Sequence, residues 1–257
     1  MFHMRLHRFY INEKVGERVE VTLTDSELIH QMANVFRFGA GDKVILFDGT
    51  GFEYEAEIIT VTKKEVSFKI LKAAQKDLEQ NNFKKVSLYL SLIKKSNFEL
   101  AAEKCTEVGV AEIHPIISDR SEKKVLNLER LNKIVKEASE QSGRVTLPKV
   151  YDIKSLEEAV THAVAEGKVC VTFHTDTVAT FQTTQTNSLH LTRTNRSESC
   201  LNNLEGEVAV FVGPEGGWTD SEMELFKKNN FKILSLGLNI LRAETAAVVA
   251  VWGVLNK

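Results

Sequence analysis

Residues 208–222, which read VAVFVGPEGGWTDSE, decide the fold of the carboxyl-terminal part of this chain. The apolar run Val208–Val212 predicts a buried strand, and the glycines at positions 213, 216 and 217 predict a loop directly after it. Thr219 and Glu222 have the spacing of a capping box, so a helix is expected to begin there. This order of strand, glycine loop and helix is typical of an α/β fold that binds a ligand at the carboxyl end of a parallel strand.

The chemistry of this loop argues against a phosphate site. The loop lacks the GxGxxG pattern and the lysine of a GK[ST] motif, and the carboxylate of Glu215 would repel a phosphate group. An acidic residue is compatible with a ligand that is cationic, or with one that presents hydroxyl groups and an amine. A tight strand-to-helix turn without any ligand is the alternative at this point.

Residues 234–246, which read LSLGLNILRAETA, repeat the arrangement of a short apolar strand, a loop and an apolar helix. Arg242 stands just before this helix, where a positive charge opposes the helix dipole. A residue that grips an anion, an RNA phosphate or a developing negative charge would explain that placement. A salt bridge with Glu244 or Glu215 would explain it equally well. Two loops at successive strand ends predict one pocket for an elongated small molecule.

The remainder of the chain divides into two regions. Residues 1–74 are β-rich, with short strands broken by tight turns and one helix at residues 26–35, which predicts a small barrel. A polar linker at residues 73–83 leads into residues 75–257, where strands and helices alternate and predict a parallel sheet. Within this second region, Ser96 and Glu99 predict a capping box, and residues 175–203 predict a long exposed loop.

Four arginines are candidates for contacts with RNA. Arg8 and Arg37 lie next to aromatic residues, and such pairs bind RNA by charge and stacking. Arg120 and Arg144 lie at predicted ends of strands or helices, which is a suitable place for phosphate contacts. Ordinary solvated charge is the alternative for each of them taken singly.

Composition narrows the class of protein further. The 257 residues carry a net charge of −2, which argues against a chain that coats itself with nucleic acid. Cys105, Cys170 and Cys200 show no metal or redox spacing and are expected to be buried or incidental thiols. The polar amino terminus shows no signal peptide, and the longest apolar run, residues 246–255, is too short to span a bilayer. We therefore expect a cytoplasmic protein with no metal and no membrane contact.

The GPEGGWT loop and the LGLNILRAETA segment resemble the signatures of the SPOUT superfamily of methyltransferases. More closely, they resemble the RsmE family, bacterial enzymes that make 3-methyluridine in 16S ribosomal RNA. Further similarity extends over nearly the whole chain, including residues 30–37, 47–49, 103–110, 120–121 and 140–144. The resemblance implies an α/β SPOUT methyltransferase domain with a carboxyl-terminal trefoil knot, preceded by a small PUA-like β-barrel that binds RNA.

The resemblance also implies a cofactor, S-adenosyl-L-methionine, and a homodimer. By position, the cofactor would contact three loops, through His174, Val212, Gly213, Glu215, Gly216, Leu236, Gly237, Ile240, Leu241 and Arg242. This sequence departs from the family pattern in two places. Asn239 stands where the family usually has a basic residue, and residues 175–203 are longer and more polar than the family leads us to expect.

The implied reaction is methylation of N3 of a uridine in 16S rRNA of the small ribosomal subunit. Arg242 is the candidate for stabilising the negative charge that develops on the base, and Glu215, Glu244 or water would accept the N3 proton. Three alternatives stay open: a SPOUT methyltransferase acting on another RNA or base, an inactive RNA-binding ribosome assembly factor, and a nucleotide-binding oxidoreductase. The missing GxGxxG pattern disfavours the last.

Overall fold

A computed structural model describes residues 6–76, 84–122, 125–174 and 204–256. These residues form two compact units, one from Met1–Asn82 with Ser139–Leu147 and the other from Phe83–Ala138 with Pro148–Lys257. The short segment Ser139–Leu147 therefore groups with the amino-terminal unit, although the sequence places it in the second domain. The polar segment at residues 175–203, with Cys200, lies outside the described residues.

The first unit is built on a five-stranded sheet in the order β1-β3-β4-β5-β2. Its strands are β1 (Arg8–Tyr10), β2 (Glu20–Leu23), β3 (Lys43–Phe47), β4 (Phe52–Val61) and β5 (Val66–Gln75). β1 pairs with β3 in parallel and the other pairs are antiparallel. Alternating side chains of these strands, among them Phe9, Leu46 and Phe68, are buried in one core. The expected linker begins later than the sequence suggests, because β5 continues to Gln75.

The helix expected at residues 26–35 changes its geometry halfway. α1 (Ser26–His30) is capped by Asp25, whose carboxylate accepts a hydrogen bond from the amide of Leu28 at 2.8 Å. The next residues, Gln31–Phe36, form a wider π-helix that ends at Arg37, whose φ of 57° is left-handed. A π-helix and a left-handed non-glycine residue are both uncommon, and both occur preferentially at functional sites.

The second unit is built on a parallel sheet in the order β12-β10-β11-β6-β7-β8, with β9 also paired to β7. Its strands are β6 (Val86–Ser91), β7 (Glu112–Ile117), β8 (Lys149–Val150), β9 (Lys154–Ser155), β10 (Val169–Phe173), β11 (Val208–Val212) and β12 (Lys232–Leu234). Its helices are α2 (Lys95–Val108), α3 (Leu128–Ser142), α4 (Leu156–Ala165), α5 (Asp220–Lys228) and α6 (Ala243–Leu255). The last turn of α3 belongs to the first unit. The predicted alternation and the parallel sheet are confirmed, and the trefoil knot stays a prediction.

Both faces of this sheet are covered, so every residue of the central strands β6 and β11 is buried. On one face, the side chains of Leu88 and Val210 pack in a cluster with α2 and α6. On the other face, four rings stack in register across β11, β6, β7 and the residue after β8. Their centroids are 4.3, 4.2 and 4.0 Å apart, and the rings belong to Phe211, Tyr89, His114 and Tyr151.

Of the two capping boxes predicted from the sequence, one is present in the structure. The box at Thr219 and Glu222 is confirmed, with the amide of Thr219 donating to Glu222 Oε2 at 2.7 Å. The box at Ser96 is wrong, because the N-cap of α2 is Lys94, two positions earlier, and it has no side-chain cap. Ser96 therefore lies inside the first turn, and its hydroxyl donates to Oδ1 of the neighbouring Asn97 at 3.4 Å.

Candidate functional site

The glycine loop at residues 213–217 follows the carboxyl end of β11 and is shaped by close packing. A turn closes it, in which the amide of Gly217, at φ +68°, donates to the carbonyl of Pro214 at 2.9 Å. A Cβ on Gly213 would lie 3.1 Å from Cε2 of Trp218, whose ring is buried against Phe226. Gly213 is thus required by a close approach of backbone to indole, as well as by any ligand.

The second loop, residues 235–242, joins β12 to α6. The hydroxyl of Ser235 accepts from the amide of Gly237 at 3.3 Å and donates to its carbonyl at 3.1 Å, which supports the positive φ of 129° at Gly237. Ile240 is 84 % exposed. Arg242 is the exposed N-cap of α6, and within the described part of the chain it forms no ion pair with Glu215 or Glu244. The salt-bridge explanation for Arg242 is therefore not observed.

His174 occupies the third predicted loop, directly after β10. Its amide donates to the carbonyl of Leu234 at the end of β12, at 2.9 Å. β10 lies between β12 and β11 in the sheet, and all three strands run in parallel. The three predicted cofactor loops consequently leave neighbouring strands at the same edge of the sheet. The roles of their individual residues stay predictions.

Three buried polar atoms near the carboxyl ends of the strands lack a hydrogen-bond partner among the described residues. They are Oγ of Ser91 at the end of β6, Nε1 of Trp218 after the glycine loop, and Oε2 of Glu244 in the first turn of α6. Buried polar groups are nearly always paired in native proteins, so unpaired ones indicate a missing ligand or water. One donor, one acceptor and one hydroxyl suit a ligand that carries both an amine and hydroxyl groups.

Arg120 lies beside the glycine loop. Its Nη1 donates to the carbonyl of Gly216 at 2.7 Å, across 96 positions of sequence. The preceding residue, Asp119, is joined to the start of α5: its amide donates to Glu222 Oε1 at 2.9 Å, and its Oδ2 accepts from the hydroxyl of Thr219 at 3.0 Å. The sequence predicts the capping role of Glu222 but not this second bond, which no local pattern reveals.

In the first unit, Arg8 and Arg144 are engaged in internal contacts. Nη1 of Arg8 lies 2.7 Å from Oε2 of Glu53, and Nη2 donates to the carbonyl of Arg144 at 3.1 Å. The guanidinium of Arg144 donates to the carbonyl of Thr146 at 3.2 Å, and burial lowers its pKa to about 10. The prediction that these two arginines contact RNA stays untested, but their side chains already have protein partners.

Arg37 is presented differently. It is exposed at the end of the π-helix, between Phe36 and Phe38, whose rings stack at 5.5 Å with 13° between their planes. The ring of His7 lies 4.4 Å from that of Phe36. An exposed arginine with stacked aromatic rings has the chemistry of an RNA contact that combines charge and stacking.

Among the described residues, no group of three or more His, Cys, Asp or Glu side chains is arranged to hold a metal ion. No helix in that part of the chain has the length and apolarity to cross a membrane. Cys105 and Cys170 are both free and buried, and burial raises the pKa of Cys170 to about 11, so both behave as packed thiols.

Comparison with known proteins gives concordant results. The family model of an RNA methyltransferase domain matches residues 79–254, and the family model of an RNA methyltransferase PUA domain matches residues 23–71. Ribosomal RNA small subunit methyltransferase E of Rickettsia conorii is 32% identical over 96% of this chain and 94% of its own length. The protein of the same name from Synechocystis is 33% identical over 90% of this chain and 71% of its own length.

Solved structures agree with these relatives. A ribosomal RNA small subunit methyltransferase E from Neisseria gonorrhoeae, bound to S-adenosyl methionine, has a TM-score of 0.77, with 28% identity over 96% of this chain and 95% of that one. A Legionella pneumophila protein in complex with bound SAM has a TM-score of 0.76, with 26% identity over 96% of both chains. This chain, a SPOUT-type α/β fold with an amino-terminal PUA-like unit, belongs to the ribosomal RNA small subunit methyltransferase E family.

Proposed function

We propose that this protein transfers the methyl group of S-adenosyl-L-methionine to N3 of a uridine in the 16S rRNA of the small ribosomal subunit. The observation that carries the proposal is the convergence of three loops on neighbouring parallel strands, which places the glycine loop and Arg242 at one edge of the sheet. Family membership supports the same reaction class. Ribosomal subunits are assembled in the cytoplasm of bacteria, so we propose that the protein works there.

The residues of this edge fit the proposed cofactor. When bound, S-adenosyl-L-methionine supplies an electrophilic methyl group on a positively charged sulfur. Glu215 is exposed on the glycine loop, and its carboxylate is compatible with a cation where it would oppose a phosphate. The unpaired Oε2 of Glu244 and Nε1 of Trp218 offer an acceptor and a donor to its polar groups.

Arg242 has the chemistry to stabilise the reacting base. Loss of the proton from N3 leaves a negative charge that uridine shares between N3, O2 and O4. The Arg242 guanidinium is exposed, always charged and without an ion-pair partner in the described part of the chain, so it is available to face that charge. Preorganised charge of this kind accelerates a reaction by roughly 10²- to 10³-fold.

A group that accepts the N3 proton is also required. Glu215 is exposed on the glycine loop, and Glu244 is buried in the first turn of α6, where its Oε2 has no hydrogen-bond partner among the described residues. An ionised carboxylate has the capacity to accept a proton within hydrogen-bond reach of the base. We propose one of these two carboxylates for that step, with bulk water as the alternative acceptor.

The first unit would supply RNA affinity, as a PUA-like domain comprising residues 1–74. Arg37 is its strongest candidate, because it is exposed and flanked by the stacked rings of Phe36 and Phe38. In the second unit, α2 and α6 pack against each other and leave large apolar side chains exposed, namely Leu100, Val249 and Trp252. Exposed apolar groups on adjacent helices are typical of a protein interface, and we propose that this surface forms a homodimer.

The decisive test is identification of the methylated nucleoside. Small ribosomal subunits that lack the modification would be incubated with the protein and labelled S-adenosyl-L-methionine, and the digested RNA analysed by mass spectrometry. Labelled 3-methyluridine is the expected product. Label in another nucleoside would retain the methyltransferase and refute the uridine N3 assignment. Absence of both label and cofactor binding would refute the enzyme and favour an RNA-binding assembly factor.

A further inference from the structure

We infer that Arg120 is a positioning residue of the glycine loop, and so sets the affinity for the cofactor, in place of the RNA contact that the sequence suggests. This inference rests on the proposed function, in which residues 213–217 hold S-adenosyl-L-methionine. It concerns a residue outside the three predicted cofactor loops. The contact that motivates it is the hydrogen bond of 2.7 Å from Nη1 of Arg120 to the carbonyl of Gly216.

Arg120 contacts the loop with its stem as well as with its guanidinium. A Cβ on Gly216 would lie 3.1 Å from Cδ of Arg120 and 3.3 Å from its Cβ, so the aliphatic part of Arg120 occupies the space over Gly216. A short hydrogen bond from a charged donor is stronger than a neutral one. Together the two contacts fix the carbonyl of Gly216 and, with it, the peptide plane that leads to Gly217.

The segment that carries Arg120 is itself held in place. Residues 118–121 form a tight turn after β7, in which the amide of Ser121 donates to the carbonyl of Ser118 at 3.1 Å and the two hydroxyls lie 2.9 Å apart. This turn is bonded to α5 through the amide of Asp119 and Oε1 of Glu222, at 2.9 Å. Glu222 is buried and also caps α5. The carboxyl-terminal part of the glycine loop and the start of α5 are therefore bonded to the same turn, Gly216 through Arg120 and Thr219 through Asp119.

A phosphate-binding role would leave a different arrangement. A side chain whose task is to reach RNA is expected to point its donors to solvent, whereas Nη1 of Arg120 is bonded to a backbone carbonyl of the loop. We therefore assign to Arg120 the task of holding the loop in a conformation ready for the ligand, which reduces the ordering cost of binding.

Two readouts test the inference on the full-length protein. The first is amide hydrogen exchange of the peptide that covers residues 213–219, measured without ligand. The second is affinity for S-adenosyl-L-methionine without RNA, measured by calorimetry. Arg120→Met keeps the aliphatic stem and removes the donor, and Arg120→Lys restores one donor. Arg130 is a matched control, because it is an exposed arginine of the same unit paired with Glu99.

For Arg120→Met we expect faster exchange in the loop and cofactor affinity that is lower by about five- to tenfold, which lies within the range for a typical net hydrogen bond. In Arg120→Lys, the exchange rate of the loop and the cofactor affinity should both return most of the way to the wild-type values. In Arg130→Met, both should equal those of the wild type. Turnover should fall mainly through KM for the cofactor, and affinity for small ribosomal subunits should be unchanged. Unaltered exchange in Arg120→Met would overturn the inference, and so would unaltered cofactor affinity accompanied by weaker RNA binding. A wild-type protein that binds no S-adenosyl-L-methionine would refute the proposed function, while the exchange measurement would still decide the role of Arg120.

Discussion

Lys168 and Glu112 form an ion pair inside the second unit, with Nζ 2.7 Å from Oε2, although 56 positions separate them in sequence. The Lys168 side chain is 2% exposed, and its ammonium also contacts Ser87 and Glu166. Burial acts to raise the pKa of Glu112, but hydrogen bonds from Lys168, Ser87 and His114 outweigh it and lower that pKa to about 2. The pair is therefore ionised at neutral pH.

Replacing Lys168 by methionine should destabilise the protein strongly. The substitution leaves the partly buried carboxylate of Glu112 without its cation, and breaking such a pair costs about 3 kcal/mol. Urea unfolding of Lys168→Met measures this cost. Lys85→Met is the control, since Lys85 pairs with Glu207 at 3.0 Å on the surface and such pairs contribute less than ~1 kcal/mol. Equal losses in the two variants would contradict the difference in burial.

The stability of the protein should fall in mild acid because of His114. Burial lowers the pKa of His114 from its ordinary value of 6.5 to about 4. The folded pKa lies below the unfolded one, so the stabilisation is complete above pH 6.5 and is lost as pH falls toward 4. Between pH 7 and pH 5 this loss is on the order of 2 kcal/mol.

His114→Phe separates this effect from other titrations. A phenyl ring preserves the stack between Tyr89 and Tyr151, and it does not bind a proton. Urea unfolding at pH 7, 6 and 5 should therefore show a shallower decline in the variant than in the wild type. Parallel declines would show that His114 is not the group that titrates. Glu112 is expected to contribute to the loss of stability at lower pH, between its ordinary pKa of 4.5 and its folded pKa of about 2.

Arg242→Ala should abolish most turnover while retaining the fold. The side chain of this N-cap makes no capping hydrogen bond, so its removal takes little from the stability of α6. We expect kcat to fall by roughly 10²- to 10³-fold and the thermal midpoint to stay near that of the wild type. Arg242→Lys should retain part of the activity because it keeps the charge. Near-normal turnover in Arg242→Ala would remove Arg242 from the mechanism.

Arg37→Ala should weaken RNA binding and reduce its dependence on salt. If Arg37 neutralises one phosphate, the slope of log K against log salt should become shallower by about 1. Arg18→Ala is the control, an exposed arginine of the same unit paired with Glu13 at 3.3 Å. The sequence predicts that Arg8→Ala also weakens RNA binding. Because Arg8 is paired with Glu53, we expect that this substitution destabilises the protein as well. An unchanged slope in Arg37→Ala would refute the phosphate contact.

Trp252→Ser should yield monomers if α2 and α6 form the dimer interface. Trp252 is 53% exposed on α6, and a buried aromatic anchor commonly dominates an interface. Sedimentation velocity measures the change in mass. Ile59→Ser, at a comparably exposed apolar position on β4, should leave the oligomeric state unchanged. A wild-type protein that sediments as a monomer would refute the dimer itself.

Local features of the sequence predicted the local structure well. The box at Thr219 and Glu222 is confirmed because both bonds form within four residues. The parallel sheet was predicted from the alternation of apolar runs such as Val208–Val212 with helical segments along the chain, and the structure confirms it. The error at Ser96 has a local cause as well, since an N-cap two positions earlier, at Lys94, moves Ser96 into the first turn.

Contacts between distant residues were beyond such reasoning. Arg8 meets Glu53 across 45 positions, and Arg120 meets Gly216 across 96. Both arginines resembled RNA contacts in sequence because spacing shows the charge and not its partner. The π-helix before Arg37 was also missed: it buries Met32 in the core of the first unit and ends at a left-handed residue, and the sequence pattern shows neither feature.

The chain contains only two tryptophans, and they occupy opposite environments. Trp218 is 5% exposed against Gly213 in the glycine loop, and Trp252 is 53% exposed on α6. Their fluorescence should therefore differ in wavelength, with the indole of Trp218 emitting to the blue of the hydrated indole of Trp252. A Trp252→Phe protein would keep a single tryptophan, in the glycine loop, and a Trp218→Phe protein would keep a single tryptophan on the surface that is proposed to form the dimer. The two tryptophans thus serve as intrinsic fluorescent probes, one for each of these two surfaces, without chemical labelling.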